Sequence, residues 1–91
     1  MGLRQGRGVL YWPNGAKYEG HWVDDMATGR GRLINADGGM YEGGFLRDMA
    51  EGIGMFKHLN GSTYIGEWSL DKQHGLGTET WPDKSVYKGY F

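Results

Sequence analysis

The 91-residue chain has no cysteine, only two prolines and no long apolar run. Without cysteine there is no disulfide framework and no thiolate metal site, and a cytoplasmic location is favoured. Two prolines are too few for a collagen-like chain or a proline-rich linker. No stretch approaches the ~20 apolar residues that a transmembrane helix needs. With a formal net charge of −1, the chain also lacks the overall positive field that attracts nucleic acid.

Glycine is abundant instead, with 18 residues, and aromatic residues make up 14% of the chain. Disordered segments are poor in aromatic residues, so a flexible glycine-rich linker is not indicated. Glycine combined with aromatic residues is typical of β-strands separated by tight turns.

The sequence repeats every 23 residues. Each copy has a tyrosine, a glycine two residues later, a large aromatic residue two further on, and a Gly-x-Gly pair. The tyrosines are Tyr18, Tyr41, Tyr64 and Tyr87, and the following aromatic residues are Trp22, Phe45, Trp68 and Phe91. The Gly-x-Gly pairs begin at Gly6, Gly29, Gly52 and Gly75. Four copies in register without an insertion indicate a repeat array.

Each repeat reads as a β-hairpin. The turns contain Asn14-Gly15, Asp37-Gly38, Asn60-Gly61 and Asp83-Lys84, and Asn-Gly or Asp-Gly is a strong hairpin signal. Alternation in the strands puts each tyrosine, glycine and aromatic residue on one face. A two-residue turn predicts that Tyr18 lies opposite Tyr11 and Trp22 opposite Arg7. The same register predicts the pairs Ile34–Tyr41, Lys57–Tyr64 and Thr80–Tyr87.

The predicted fold is therefore all-β: one elongated antiparallel sheet of about four stacked 23-residue hairpins. The hairpins lie near residues 7–22, 30–45, 53–68 and 76–91. Polar links at Asp24–Thr28, Asp48–Glu51 and Asp71–His74 join them, and each following Gly-x-Gly pair supplies a bend. Neither end carries a polar cap, so we expect residues 1–91 to be a segment of a longer array, or to be capped by a partner that pairs edge to edge.

The unit Tyr18-Glu19-Gly20-His21-Trp22, followed by Gly29-Arg30-Gly31 and Asp37-Gly38, closely resembles the MORN repeat (membrane occupation and recognition nexus). The resemblance covers nearly the whole chain. Departures are Ile65 and Lys88 in place of the usual glutamate, Lys84 in place of the turn glycine, and Phe45 and Phe91 in place of tryptophan.

The resemblance implies stacked antiparallel hairpins with an aromatic-lined groove. MORN arrays occur in ciliary and flagellar proteins, protist cytoskeletal scaffolds and junctional membrane proteins, and beside lipid kinases and a lysine methyltransferase. In most of these the array binds or assembles, which implies the same for this chain.

Signals for catalysis are weak, and we expect no enzyme activity, cofactor or metal. His21, His58 and His74 occupy three different repeat positions, so the repeat does not gather them. Asp24-Asp25 lies in a turn, where aspartate favours local backbone bonds. Gly52-Ile53-Gly54 lacks the third glycine and the following helix of a dinucleotide site, and no serine lies in a nucleophile motif.

The aromatic face is the richest candidate site. Its predicted ladder comprises Tyr18, Trp22, Tyr41, Phe45, Tyr64, Trp68, Tyr87 and Phe91. Packing of hairpin on hairpin is the favoured interpretation, and a groove that also accepts a partner's helix or extended peptide is the alternative. Trp12 and Trp81 occupy one repeat position at opposite ends, where they are structural or anchor a partner.

A second candidate site is basic. Its residues are Arg4, Arg7, Lys17, Arg30 and Arg32, and residues 1–33 carry a net +2 against −3 for residues 34–91. Ordinary surface charge is the favoured interpretation of both features. The alternative is contact with anionic phospholipid at a membrane periphery.

Two functional hypotheses follow. The first is a non-catalytic protein-binding scaffold of a cytoskeletal or ciliary (axonemal) assembly. The second is a phospholipid-binding module of a larger protein such as a lipid kinase.

Overall fold

The computed structural model describes residues 3–91, which form a single eight-stranded antiparallel sheet in which every strand pairs with its neighbour in sequence. The described residues extend over 49 × 26 × 15 Å, and among them no helix is long and apolar enough to cross a membrane. The all-β, elongated prediction is confirmed. The strands are β1 (Gly6–Tyr11), β2 (Lys17–Val23), β3 (Met26–Ile34), β4 (Met40–Leu46), β5 (Met49–Lys57), β6 (Thr63–Ser69), β7 (Lys72–Thr80) and β8 (Val86–Tyr90).

The hairpin turns have three loop residues rather than two. In the first, the Trp12 amide donates to the Ala16 carbonyl at 2.9 Å, and the Gly15 amide donates to the Trp12 carbonyl at 3.0 Å. Gly15 has a φ of +97°, which glycine adopts without steric cost. The Asn14 side-chain oxygen accepts a hydrogen bond from the Ala16 amide at 2.9 Å, and this bond fixes the loop. The same bonding recurs at Asn35–Gly39, His58–Ser62 and Trp81–Ser85.

The extra loop residue makes the predicted register wrong by one position. Tyr18 lies opposite Leu10 instead of Tyr11, and Trp22 lies opposite Gly6 instead of Arg7. A one-residue slip moves side chains to the other face of a sheet, so Leu10 joins the aromatic face and Tyr11 leaves it. The later repeats follow the same rule, with the observed pairs Leu33–Tyr41, Phe56–Tyr64 and Glu79–Tyr87 in place of those predicted for Ile34, Lys57 and Thr80.

The predicted polar links are also wrong, because successive hairpins are joined by two-residue turns. Both residues of each turn have positive φ, as at Asp24 (49°) and Asp25 (70°), which is the type I′ conformation. Aspartate tolerates this conformation better than most residues. The next strand begins at once, at Met26, Met49 and Lys72. The other two turns are Arg47-Asp48 and Leu70-Asp71.

Each Gly-x-Gly pair bends its strand as predicted. The first glycine has positive φ, for example 102° at Gly29. The pairing of β2 with β3 shifts there, from Gly20 opposite Gly31 to Trp22 opposite Ala27. The β2–β3 pairing therefore leaves His21 out, and the same shift recurs between β4 and β5 and between β6 and β7.

A tyrosine lies flat over each of these irregularities. A Cβ on Gly31 would collide with the ring and hydroxyl of Tyr18, so only glycine leaves room for the ring. The Tyr18 hydroxyl then donates to the His21 carbonyl at 3.0 Å. Since His21 is the β2 residue at this shift, opposite residues 28–30 of β3, the bond stabilises the bulge. The same pattern joins Tyr41 to Gly44 at 2.8 Å, Tyr64 to Glu67 at 2.9 Å and Tyr87 to Tyr90 at 3.1 Å.

The tyrosines also link the repeats through an edge-to-face ladder of rings. Tyr18 contacts Trp22 of its own strand and Phe45 of the next repeat, each with centroids 5.0 Å apart. Such pairs contribute about 0.5–1.5 kcal/mol beyond area burial. The ladder continues through the contacts Phe45–Tyr41, Tyr41–Trp68, Trp68–Tyr64, Tyr64–Phe91 and Phe91–Tyr87, at 4.7–5.3 Å.

Aspartates of the two-residue turns form a second link between repeats. The Asp48 carboxylate accepts a hydrogen bond from the Ala27 amide at 2.7 Å, and the Asp48 amide donates one to the Ala27 carbonyl at 2.9 Å. Asp71 makes the same pair of bonds with Ala50, at 2.7 and 3.0 Å. Each turn is thereby fixed to the strand 21 residues before it.

Replacing a glycine beneath a tyrosine ring is expected to destabilise the array. We expect Gly31→Ala to lower the free energy of unfolding by about 3 kcal/mol, because overpacking displaces the Tyr18 ring and its hydrogen bond. Gly8→Ala is the matched control, since its Cβ would meet Trp22 at an ordinary 3.4 Å. Denaturant unfolding measures both variants, and equal stabilities would contradict the role given to this glycine.

Candidate functional site

The aromatic face of the sheet carries an open groove of about 520 Å³ over the first two hairpins. Turn residues Trp12 and Asn14 border it on one side, and Asp25 and Asp48 border it on the other. The groove therefore runs across the strands, along the direction in which repeats stack.

An apolar row that the sequence analysis missed begins in the groove with Leu10 and Leu33 and continues beyond it to Phe56 of the third hairpin. Leu10, Leu33 and Phe56 are only partly buried and pack against the buried ring cluster. They follow the same 23-residue period as the rings, so the signal was present. The one-residue register error had assigned them to the opposite face. The fourth residue of the row is Glu79.

The predicted ladder residues divide into two groups. Six rings are buried, with exposed fractions of 0–9%, and they hold the fold together rather than meeting solvent: Tyr18, Trp22, Tyr41, Phe45, Tyr64 and Trp68. Tyr87 and Phe91, at the last rung, are 44% and 37% exposed. Packing therefore accounts for most of the ladder, and the accessible floor is the apolar row beside it.

Trp12 and Trp81 lie at equivalent turn positions and are each 39% exposed. Each tryptophan precedes a three-residue hairpin loop, and its backbone amide donates a hydrogen bond to the carbonyl of the residue that follows the loop. Trp12 borders the groove directly. Trp12 thus offers an exposed aromatic surface at the groove, and Trp81 offers one at the equivalent turn of the fourth hairpin.

Burial shifts the acid–base chemistry of the ladder tyrosines. Burial, reinforced by the charge of Asp71, raises the pKa of Tyr41 to about 12. Burial also raises the pKa of Tyr18 and of Tyr64. These hydroxyls are therefore neutral hydrogen-bond donors around neutral pH, as the bonds across the bulges require.

The predicted basic group is only partly assembled. Arg7, Arg30 and Arg32 border a shallow cleft of about 250 Å³ on the face opposite the groove, together with Glu19 and Glu42. Arg32 is 3.4 Å from the Glu42 carboxylate.

The other two basic residues lie outside that cleft. The Lys17 ammonium lies 5.5 Å from the Tyr11 ring centroid. Arg4 lies 4.5 Å from the Trp22 ring centroid and is paired with Asp25 at the groove. Arg4 precedes β1 and lies outside the cleft, so the five predicted residues do not form one site.

The strands place most of their charged side chains on the face opposite the groove. The face opposite the groove has seven Lys/Arg and four Glu in its strands, a net of +3. The groove face and the turns together have three Lys/Arg and seven Asp/Glu, a net of −4. The excess of positive charge on the opposite face lies within residues 1–33, because residues 34–91 place three lysines and three glutamates there.

No metal site is assembled among residues 3–91, where no group of three or more His, Asp or Glu side chains is placed to hold an ion. His21 and His74 lie in different strands, β2 and β7. His58 lies in a turn with its ring 4.6 Å from Phe56.

The bulged hairpins, the ring ladder and the turn aspartates define a stacked β-hairpin repeat module. A family model for the MORN repeat matches residues 1–17, 18–40, 41–63 and 64–86, and the chain belongs to the MORN-repeat family. The last three matches each begin at a ladder tyrosine. MORN repeats are protein- or membrane-binding modules without catalytic function. No curated protein is similar enough to the chain to count as a match.

Ionisation of Tyr41 is expected to destabilise the array at high pH. An unfolded tyrosine loses its proton near pH 10, whereas folded Tyr41 keeps its proton to about 12. The folded state therefore binds more protons in that window, and the free energy of unfolding falls as pH rises through it.

Tyr41→Phe tests this effect. We expect the variant's free energy of unfolding to be about 1 kcal/mol lower at neutral pH, because the hydroxyl bond to Gly44 is lost. Above pH ~10 we expect its free energy of unfolding to fall less steeply than that of the wild type. Tyr11→Phe, at a ring 69% exposed, is the control. Denaturant unfolding across the pH series measures both, and identical slopes for wild type and Tyr41→Phe would contradict the assignment.

Proposed function

We propose that the chain is a non-catalytic protein-binding module that scaffolds a cytoskeletal or ciliary assembly, with its groove holding a helical segment of a partner. The observation that carries the proposal is the partly exposed row Leu10, Leu33 and Phe56, which lies on a floor made rigid by the buried rings. Rigid apolar clefts bordered by polar groups are the usual form of a binding site. The cytoskeletal or ciliary setting is supported by the family resemblance.

A helix suits this floor better than an extended peptide. The groove lies on the face of the sheet, where the backbone groups of the inner strands β2–β7 are engaged in pairing with a strand on each side. An extended segment would find no backbone partners there, and unpaired buried amides are costly. A helix satisfies its own backbone and presents side chains alone.

The spacing of the row also matches a helix. Two strands advance the sheet by about 9.6 Å, so the three floor residues are spaced by about that distance. A helix rises about 1.5 Å per residue, and about seven residues, or two turns, cover the same length. A helix lying along the groove can therefore repeat one apolar contact at each hairpin.

Affinity capture with purified array as bait tests the proposal. Wild-type protein should retain cytoskeletal or axonemal proteins in fixed ratio, and Leu33→Glu should lose about 90% of them, because the glutamate would be buried without a partner. Ile65→Glu, which places the same charge on the opposite face at a residue 53% exposed, is the matched control.

Unfolding midpoints verify that each bait is folded, and Leu10→Ser is a milder variant near the end of the row. Retention of the same proteins by folded Leu33→Glu, or loss of them with Ile65→Glu, would show that the groove is not the binding surface.

A phospholipid-binding role is the second candidate, because the face opposite the groove has a net charge of +3. Basic surfaces bind anionic leaflets with about 1 kcal/mol per cation near the surface. The interspersed Glu19 and Glu42 weaken this field, and for that reason the candidate is second.

Liposome sedimentation tests the lipid candidate. Binding to phosphatidylserine vesicles should fall steeply with added salt and should be lost in the double variant Arg30→Glu/Arg32→Glu. The double variant Arg47→Glu/Lys84→Glu has the same charge change in the turns and should still bind. Binding that does not change with salt concentration, or that is equal in the two double variants, would contradict the phospholipid-binding role.

A further inference from the structure

The fourth hairpin differs from the others on the groove face. Glu79 takes the place of Leu10, Leu33 and Phe56, and it lies opposite Tyr64 on one side and Tyr87 on the other. Gln73 takes the place of the buried Ala27 and Ala50. The apolar row therefore ends in a carboxylate, so the two ends of the row differ chemically.

Glu79 has no charge partner within residues 3–91. The two ion pairs found in this part of the chain are Arg4–Asp25 and Arg32–Glu42. Strand alternation places the strand lysines Lys57, Lys72 and Lys88 on the opposite face. The Glu79 side chain is partly buried beside the rings. An apolar partner group that covered it would remove the water that solvates the carboxylate and would supply no hydrogen-bond donor instead.

The rest of the groove border is acidic as well. Asp25 and Asp48 border it directly, and Asp71 occupies the equivalent turn position of the third hairpin. Of these, Asp25 is neutralised by Arg4 at the opposite end from Glu79. The carboxylates of Asp48, Asp71 and Glu79 have no ion pair among residues 3–91, so the unpaired acidic groups lie toward the fourth hairpin, which favours a cation there.

We propose that the groove binds its partner helix in a single polarity, with apolar side chains at about seven-residue intervals over Leu10, Leu33 and Phe56 and a lysine or arginine over Glu79. This inference rests on the proposed helix-binding function. It adds the chemistry of the partner: an amphipathic helix that is apolar over three hairpins and basic at the end that meets the fourth.

Two synthetic fluorescein-labelled helical peptides test the inference by fluorescence anisotropy. Each carries three leucines spaced seven residues apart, and seven residues further on one peptide has lysine and the other glutamate. We expect the wild-type array to bind the lysine peptide about fivefold more tightly, as for a partly exposed ion pair, with the preference declining at high salt.

Glu79→Gln should abolish that preference, whereas Glu19→Gln, with the same change on the opposite face, should keep it. Equal binding of the two peptides by wild type, or an unchanged preference in Glu79→Gln, would overturn the polarity while leaving the helix-binding function in place. Binding of neither peptide by folded protein would overturn both.

Discussion

The whole array depends on a tyrosine that lies flat over glycine and reaches the carbonyl at a strand bulge. In the first hairpin this is Tyr18, whose ring covers Gly31 and whose hydroxyl bonds His21. Removing the glycine would displace the ring, and removing the hydroxyl would leave a bulge carbonyl without its partner. Because the ring is held down, its edge meets Phe45 of the next repeat, and one local constraint thereby links repeat to repeat.

A single-layer sheet built in this way has its core on one face. The rings of that core leave the row Leu10, Leu33 and Phe56 beside them on the groove face, while Glu79 ends the row. The opposite face has no comparable core and carries three of the five arginines and most of the lysines. The two proposed binding roles therefore belong to different faces, and substitutions on one face leave the other intact.

The fold could be predicted from the sequence because the 23-residue period is the spacing between successive tyrosines of the ring ladder. Tyr18, Tyr41 and Tyr64 recur at 23 residues because each occupies the same place over a glycine. The register was not recoverable, since Asn14-Gly15 suits both a two-residue turn and the three-residue loop that the structure contains. That single ambiguity moved Leu10 and Leu33 to the wrong face and hid the floor of the groove.

Long-range contacts were beyond sequence reasoning for a different reason. Aspartate in a turn is expected to bond locally, yet Asp48 and Asp71 bond amides 21 residues earlier. Of the five predicted basic residues, three meet at one cleft, whereas Arg4, which precedes β1, pairs with Asp25 at the groove. Composition records charge but not the face on which a strand presents it.

Native-state hydrogen exchange of a Phe45→Leu variant tests the central claim most directly. Phe45 contacts Tyr41 of its own strand and Tyr18 of the preceding hairpin. If the ladder couples repeats, amides of β1–β2 and β3–β4 should lose protection together while β7–β8 is unaffected. Loss of protection confined to β3–β4 would show that the hairpins are stable independently and that the ring ladder does not hold the array together.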